Sequence, residues 1–120
     1  MKIKSIDQDF SVCRLRDYSG VDLNAEYCFV GKTDEEHSLV CPTADVPEHV
    51  LEREDGWRAF RIEGVLDFFL IGVLANISRV LAEHKIGIFV ISTYRTDYIL
   101  TKKEQFGRAL EVLALAGYEV

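Results

Sequence analysis

The side chains able to do chemistry are few in this chain, and most stand alone. His37, His49 and His84 are far apart and offer no H-x-x-x-H pair, so a tetrahedral metal site has no ligand set to draw on. Cys13, Cys28 and Cys41 lack C-x-x-C spacing, and the odd set suits reduced thiols that pack as small apolar groups. Any of them acting as a nucleophile would require a positioned histidine, which spacing alone does not supply. The chain has no G-x-S-x-G, no P-loop and no G-x-G-x-x-G. Asp67 and Asp97 are the acidic residues that could share a cleft as a perturbed titratable pair. The remaining chemistry belongs to the backbone. Phe69, Leu70, Ile71 and Gly72 fall at the start of a predicted helix, where unpaired N–H groups and the helix dipole together favour an anion. Gly72 has no Cβ to block approach.

That helix is read from Leu70, Leu74, Ile77 and Leu81, spaced by four, three and four, with Val73 and Val80 widening the stripe. Gly72 and Ala75 are small enough to let its backbone approach a sheet closely. Ahead of it, Trp57–Ile62 alternates, with Arg58, Phe60 and Ile62 on one face, which predicts a half-buried strand. Behind it, Ile86–Tyr94 is a nearly continuous β-branched and aromatic run, as in a strand covered on both faces. Tyr98–Thr101 follows the polar turn Arg95–Thr96–Asp97 and completes a hairpin. Phe106, Ala109, Leu110 and Leu113 predict a second amphipathic helix, Gly117 a left-handed cap after it, and Tyr118–Val120 the start of a last edge strand. The order is β-α-β-β-α-β, a split-βαβ or ferredoxin-like unit.

The first half reads differently. Phe10–Arg16 is a short β candidate, and Tyr27–Gly31 with Ser38–Cys41 flanks the charged loop Thr33–Glu36 as a hairpin. Leu51–Gly56 reads as an exposed connector. The skeleton repeats part of the second half's order, which makes a degraded internal duplication an expectation. With 120 residues and 48% hydrophobic side chains, one domain or two very small half-domains sharing a core are expected, divided here as 1–55 and 56–120. A net charge of −6 argues against a nucleic-acid surface and against an anionic membrane. The opening MKIKSIDQDF has acidic residues where an export signal carries its apolar core, and the run Val65–Leu74 is broken by Asp67 and Gly72 and too short to span a bilayer. A cytoplasmic protein is expected, with no cofactor and no metal.

The stretch DFFLIGVLANIS from Asp67 to Ser78, followed by RVLAEHKIGIFVISTYRTDYIL, resembles ACT domains. It is most similar to the stand-alone ACT-like proteins of bacteria, and it resembles the ACT repeats of aspartate kinases and of CASTOR-type arginine sensors. The resemblance covers residues 57 to 120 well and the first half loosely. It implies an α+β architecture: a ferredoxin-like βαββαβ ACT fold in the C-terminal half, with a β-rich, degenerate ACT-like N-terminal half packed against it. It also implies a regulatory, non-catalytic module that binds a small amino acid, acting as a homodimer or on a regulated enzyme carried by another chain. One departure stands out. Lys85 occupies the position just past the helix where such sequences place glycine, so a residue with a Cβ must adopt the left-handed cap.

ACT domains hold ligands between the loop–helix junction and the neighbouring strand. The resemblance therefore implies a site from Asp67, Phe69, Leu70, Ile71, Gly72 and Val73, with Ile91, Ser92, Thr93 and Asp97 facing it. The amino acid's carboxylate would sit on the helix-start amides and its ammonium on Asp67 or Asp97. Each residue also has an ordinary use. Asp67 can cap the helix, Gly72 can serve close packing, and Asp97 can serve a turn. Phe68 and Phe69 can be core or interface, and Ser92 and Thr93 fit plain strand propensity. Two other readings compete: a protein–protein scaffold whose ligand site has decayed, and an enzyme built on the Asp67–Asp97 pair.

Overall fold

Among the described residues, β-branched and aromatic side chains draw six segments into strands, and two apolar stripes at helical spacing form helices. The computed structural model describes residues 1–63 and 72–120. Its elements are β1 (Ile3–Leu15), β2 (Phe29–Lys32), β3 (His37–Pro42), β4 (Glu52–Ile62), α1 (Val73–Glu83), β5 (Phe89–Ser92), β6 (Asp97–Lys102) and α2 (Lys103–Leu115). The α+β, ACT-like class expected from the sequence is what the chain adopts. Internal contacts divide it into two units, Met1–Asp7 with Arg58–Val120, and Gln8–Trp57.

In the first unit the strands run in the order β1-β4-β6-β5. Alternate residues of β4, Phe60 and Ile62, join Ile3, Ile99, Ile77, Leu81, Phe106, Ala109 and Leu113 in one core. Fully burying each large side chain there contributes about 1.5–3 kcal/mol. Arg58, on the same face of β4 as Phe60, lays its guanidinium 5.6 Å from the Phe106 ring centroid. Both helices end in the same way. After α2, Gly117 at φ 102 donates to Ala114 (3.1 Å) and Tyr118 to Leu113 (3.0 Å). After α1, Lys85 at φ 59 donates to Ala82 (2.9 Å) and Ile86 to Leu81 (3.0 Å). These are paired Schellman bonds, and Lys85 takes the left-handed cap despite its Cβ. His84, just ahead, sets Nδ1 2.9 Å from the Val80 carbonyl.

In the second unit the order is β2-β3-β1-β4. Cys13, Leu15, Leu39 and Cys41 form its small core, with Tyr18, Val21, Cys28, Val46 and Val50 packed around them. All three thiols are free. The expected hairpin forms as β2 and β3, its loop closed by Thr33 N–H donating to the Glu36 carbonyl at 2.9 Å. The β5–β6 hairpin repeats that geometry sixty positions on. Phe29 pairs with Val40 and Phe89 with Leu100; Lys32 pairs with His37 and Ser92 with Asp97. Thr93 N–H donates to the Thr96 carbonyl, again at 2.9 Å. The strand order β2-β3-β1 likewise matches β5-β6-β4. A short 3-10 turn, Thr43–Asp45, follows β3 where α2 follows β6.

The structure departs from the sequence reading at several points. Leu51–Gly56 is no connector; β4 begins at Glu52, exposed along its first four residues and set in the left-handed region at Gly56 (φ 87). β1 starts at Ile3 rather than Phe10. The Ile86–Tyr94 run shortens to a four-residue strand at the end of the sheet order, half-buried or exposed rather than covered on both faces. Asp97 opens β6 opposite Ser92 instead of sitting in the turn. Among the described residues a Cβ at Gly72 would meet nothing within 4 Å, and Ala75 is exposed, so no close helix–sheet approach is seen at either. Gly72 is explained by its φ of 88 as the residue preceding Val73. Lastly, the expected closing strand at Tyr118–Val120 reduces to one parallel bridge, Lys2 with Glu119. The place beside β4 is taken by β1.

Candidate functional site

Two neighbouring strands and one turn build a depression in the first unit. β4 and β6 lie side by side, so Arg61 near the end of one reaches Tyr98 near the start of the other. Arg61 Nη1 donates to Tyr98 Oη at 3.1 Å, and its guanidinium carbon lies 5.9 Å from the ring centroid. Arg61 Nε also donates to Glu63 Oε2 at 3.2 Å. The bond to Tyr98 foremost, and the pairing with Glu63, hold the guanidinium above its ordinary range, so it remains a cation throughout. The turn is tied to the end of β4 by Thr96, whose buried hydroxyl donates to the Ile62 carbonyl at 2.7 Å. Thr93 closes the turn from within, its hydroxyl donating to the Thr96 carbonyl at 2.8 Å.

These residues, with Tyr94 and Arg95, line an open depression of about 560 Å³. Arg61 and Glu63 are partly exposed at its wall, with side-chain exposures of 24% and 36%. Arg95 is exposed on the turn and, among the described residues, has no acidic partner. Guanidinium forks grip carboxylates with paired charge-assisted bonds, and a carboxylate such as Glu63 grips an ammonium. The rim therefore offers both halves of what a zwitterion needs.

Of the described residues singled out from sequence as a ligand site, Thr93 is the one that lines this depression. Ile91 is half-buried opposite Tyr98, and Ser92 is exposed opposite Asp97. Val73 packs against the core. Gly72 precedes α1, with its carbonyl accepting from Asn76 at 2.9 Å. Asp67, Phe69, Leu70 and Ile71 lie outside the described residues, as does the expectation that Asp67 caps the helix. The sequence reading passed over Arg61, Glu63, Arg95 and Tyr98. The available signal was Arg61 itself, a cation inside an otherwise half-buried strand.

The second unit holds a larger open depression of about 720 Å³, lined by residues of Leu15–Gly20 and Pro47–Leu51. Its three thiols are poorly suited to nucleophilic work: burial foremost raises all of them, Cys41 to about 12. Among the described residues no cluster of His, Cys, Asp or Glu has the geometry to hold a metal ion. No described helix is long and apolar enough to cross a membrane.

A family model described as an ACT domain matches residues 52–114. No curated protein matches the sequence. Among solved structures, an Agobacterium tumefaciens protein is 27% identical over 98% of this chain and 90% of its own, with a TM-score of 0.86. The aspartokinase alpha and beta subunits match over 97% of each chain at 19% identity and a TM-score of 0.69. The ligand-free regulatory subunit of aspartate kinase from Thermus thermophilus matches over 96% of each chain at 9% identity and a TM-score of 0.64. At such identities the last two show a shared fold alone.

Proposed function

This chain belongs to the ACT domain family, and from that premise we propose that it is a non-catalytic regulatory module that binds a small amino acid. It acts by pairing with a second copy of itself or with an enzyme on another chain. The observation that carries this reading is the depression at the end of β4, where Arg61, Glu63 and Arg95 set cation and carboxylate side by side. The fold it shares with the aspartate kinase regulatory subunit from Thermus thermophilus is compatible with a regulatory role. In this reading a guanidinium takes the ligand's carboxylate and Glu63 its ammonium. Thr93 lines the depression; Gly72 and Val73, with Asp67, Phe69, Leu70 and Ile71 ahead of them in sequence, and Ile91, Ser92 and Asp97 of the β5–β6 hairpin are proposed as the wider site around it. A protein at work in the cytoplasm fits such a ligand.

Binding to the folded state raises stability by about 2.7 kcal/mol at a hundredfold excess over Kd. A thermal-shift screen of the twenty amino acids therefore tests the reading, and at least one should raise the melting temperature. No shift with any of them at millimolar concentration overturns it. The bonds that Arg61 already makes to Glu63 and Tyr98 favour a second reading, a protein–protein scaffold whose ligand site has decayed. In that case Phe69→Asp breaks assembly while no amino acid moves the melting temperature.

A further inference from the structure

Resting on the amino-acid reading of this same depression, we propose that its ligand is an acidic amino acid, with the chemistry of aspartate or glutamate. The argument is a match of charges. Among the described residues, the lining carries two guanidinium groups, Arg61 and Arg95, and one carboxylate, Glu63. An acidic amino acid carries the complement, two carboxylates and one ammonium. Glu63 and Arg61 are 3.2 Å apart, so an ammonium arriving at Glu63 competes for the carboxylate that balances Arg61. A second ligand carboxylate restores that balance. Arg95 then receives the other one, and among the described residues it has no acidic partner to displace. A neutral amino acid leaves one guanidinium without a carboxylate. A basic one brings a second cation against two that are already present. A dicarboxylate without an ammonium faces Glu63 with like charge. Arg61 spends two of its five N–H groups on Tyr98 and Glu63 among the described residues, which leaves donors for a ligand.

Calorimetric titration of the full chain with L-aspartate, L-glutamate, L-asparagine, L-glutamine, L-lysine and succinate tests this. The acidic pair should bind about tenfold or more tightly than their amides, as expected for a charge-assisted pair against a neutral one. Arg95→Gln should bring acids and amides to equal affinity; the residue is exposed on a turn, and circular dichroism confirms that the variant is folded. Glu63→Gln should weaken aspartate and glutamate while strengthening succinate. If an amide or lysine binds more tightly than both acids, the acidic class is overturned and the amino-acid reading stands. If no amino acid binds, both fall together. An acid preference that survives Arg95→Gln removes the ligand from this depression and overturns the inference.

Discussion

Lys85 offers a sharp test of backbone reasoning, because two opposing effects meet at one exposed residue. Its φ of 59 places an L side chain in the left-handed region, at a cost of roughly 1–2 kcal/mol. Glycine removes that strain but enlarges the unfolded ensemble, which costs about 0.5–1 kcal/mol. A third effect must be separated out: a lysine just past a helix C-terminus gains about 0.3–1 kcal/mol from the dipole. Lys85→Ala deletes the charge and keeps the strain, so the informative comparison is Lys85→Gly against Lys85→Ala. Glycine should be the more stable by about 0.5–1 kcal/mol. With an unfolding entropy of about 2.1 cal/mol/K per residue over the chain, that corresponds to about 2–4 °C. Among the described residues the side chain makes no hydrogen bond or ion pair, and the carbonyl, which accepts from Gln105 Nε2 at 3.4 Å, survives either change. Gly117→Ala is the mirror experiment: its φ is 102 and its Cβ would meet no atom within 4 Å, so any loss is backbone strain alone. Urea unfolding followed by circular dichroism, with an unchanged m-value, supplies the numbers. Alanine at position 85 equal to or better than glycine would refute the argument.

Two further outcomes follow from the site and from the thiols. Thr96→Val keeps the shape of the turn but removes the 2.7 Å bond to the Ile62 carbonyl; stability should fall by about 1–2 kcal/mol and any amino-acid-induced thermal shift should shrink. Because burial raises Cys41 from its ordinary 9.0 to about 12, the fold holds this thiol neutral. Its contribution is fully present below pH 9.0 and is lost as pH rises toward about 12. Cys13 and Cys28 are raised in the same direction. The urea midpoint should therefore decline across the alkaline range, more steeply in the wild type than in Cys41→Ala. A parallel decline in both would refute it.

The elements with one buried face were legible in the sequence, and those without one were not. Phe60 and Ile62 alternate and Ile77, Val80 and Leu81 share a helical stripe, so burial itself writes their pattern. The first residues of β4 are exposed, and a ladder of backbone bonds needs no apolar side chain to exist. The start of β1 hides for another reason: Ile3, Ile6 and Phe10 fall three and four apart, whereas Ser11, Cys13 and Leu15, in the part that was legible, alternate by two. β5 looked doubly covered because it is rich in Phe, Val and Ile, yet composition does not say that the strand ends the order. The depression escaped notice because Arg61 and Tyr98 are 37 positions apart and meet through the adjacency of β4 and β6. No local pattern records that adjacency. The left-handed cap at Lys85, in contrast, was implied by the resemblance, which places glycine just past the helix.

The seating of Lys2 between Glu63 and Glu119 has a consequence for folding. Lys2 accepts from Glu63 at 2.9 Å, Ile3 donates to Glu119 at 2.7 Å, and Glu119 donates to Met1 at 2.9 Å. On the ribosome, residues 1–7 emerge long before Glu63, and Glu119 follows later still. Contacts of such long sequence separation slow folding. Closure of this seam thus waits on Glu119 rather than on residues 1–7, and a nascent chain stalled before Glu119 leaves it unsealed.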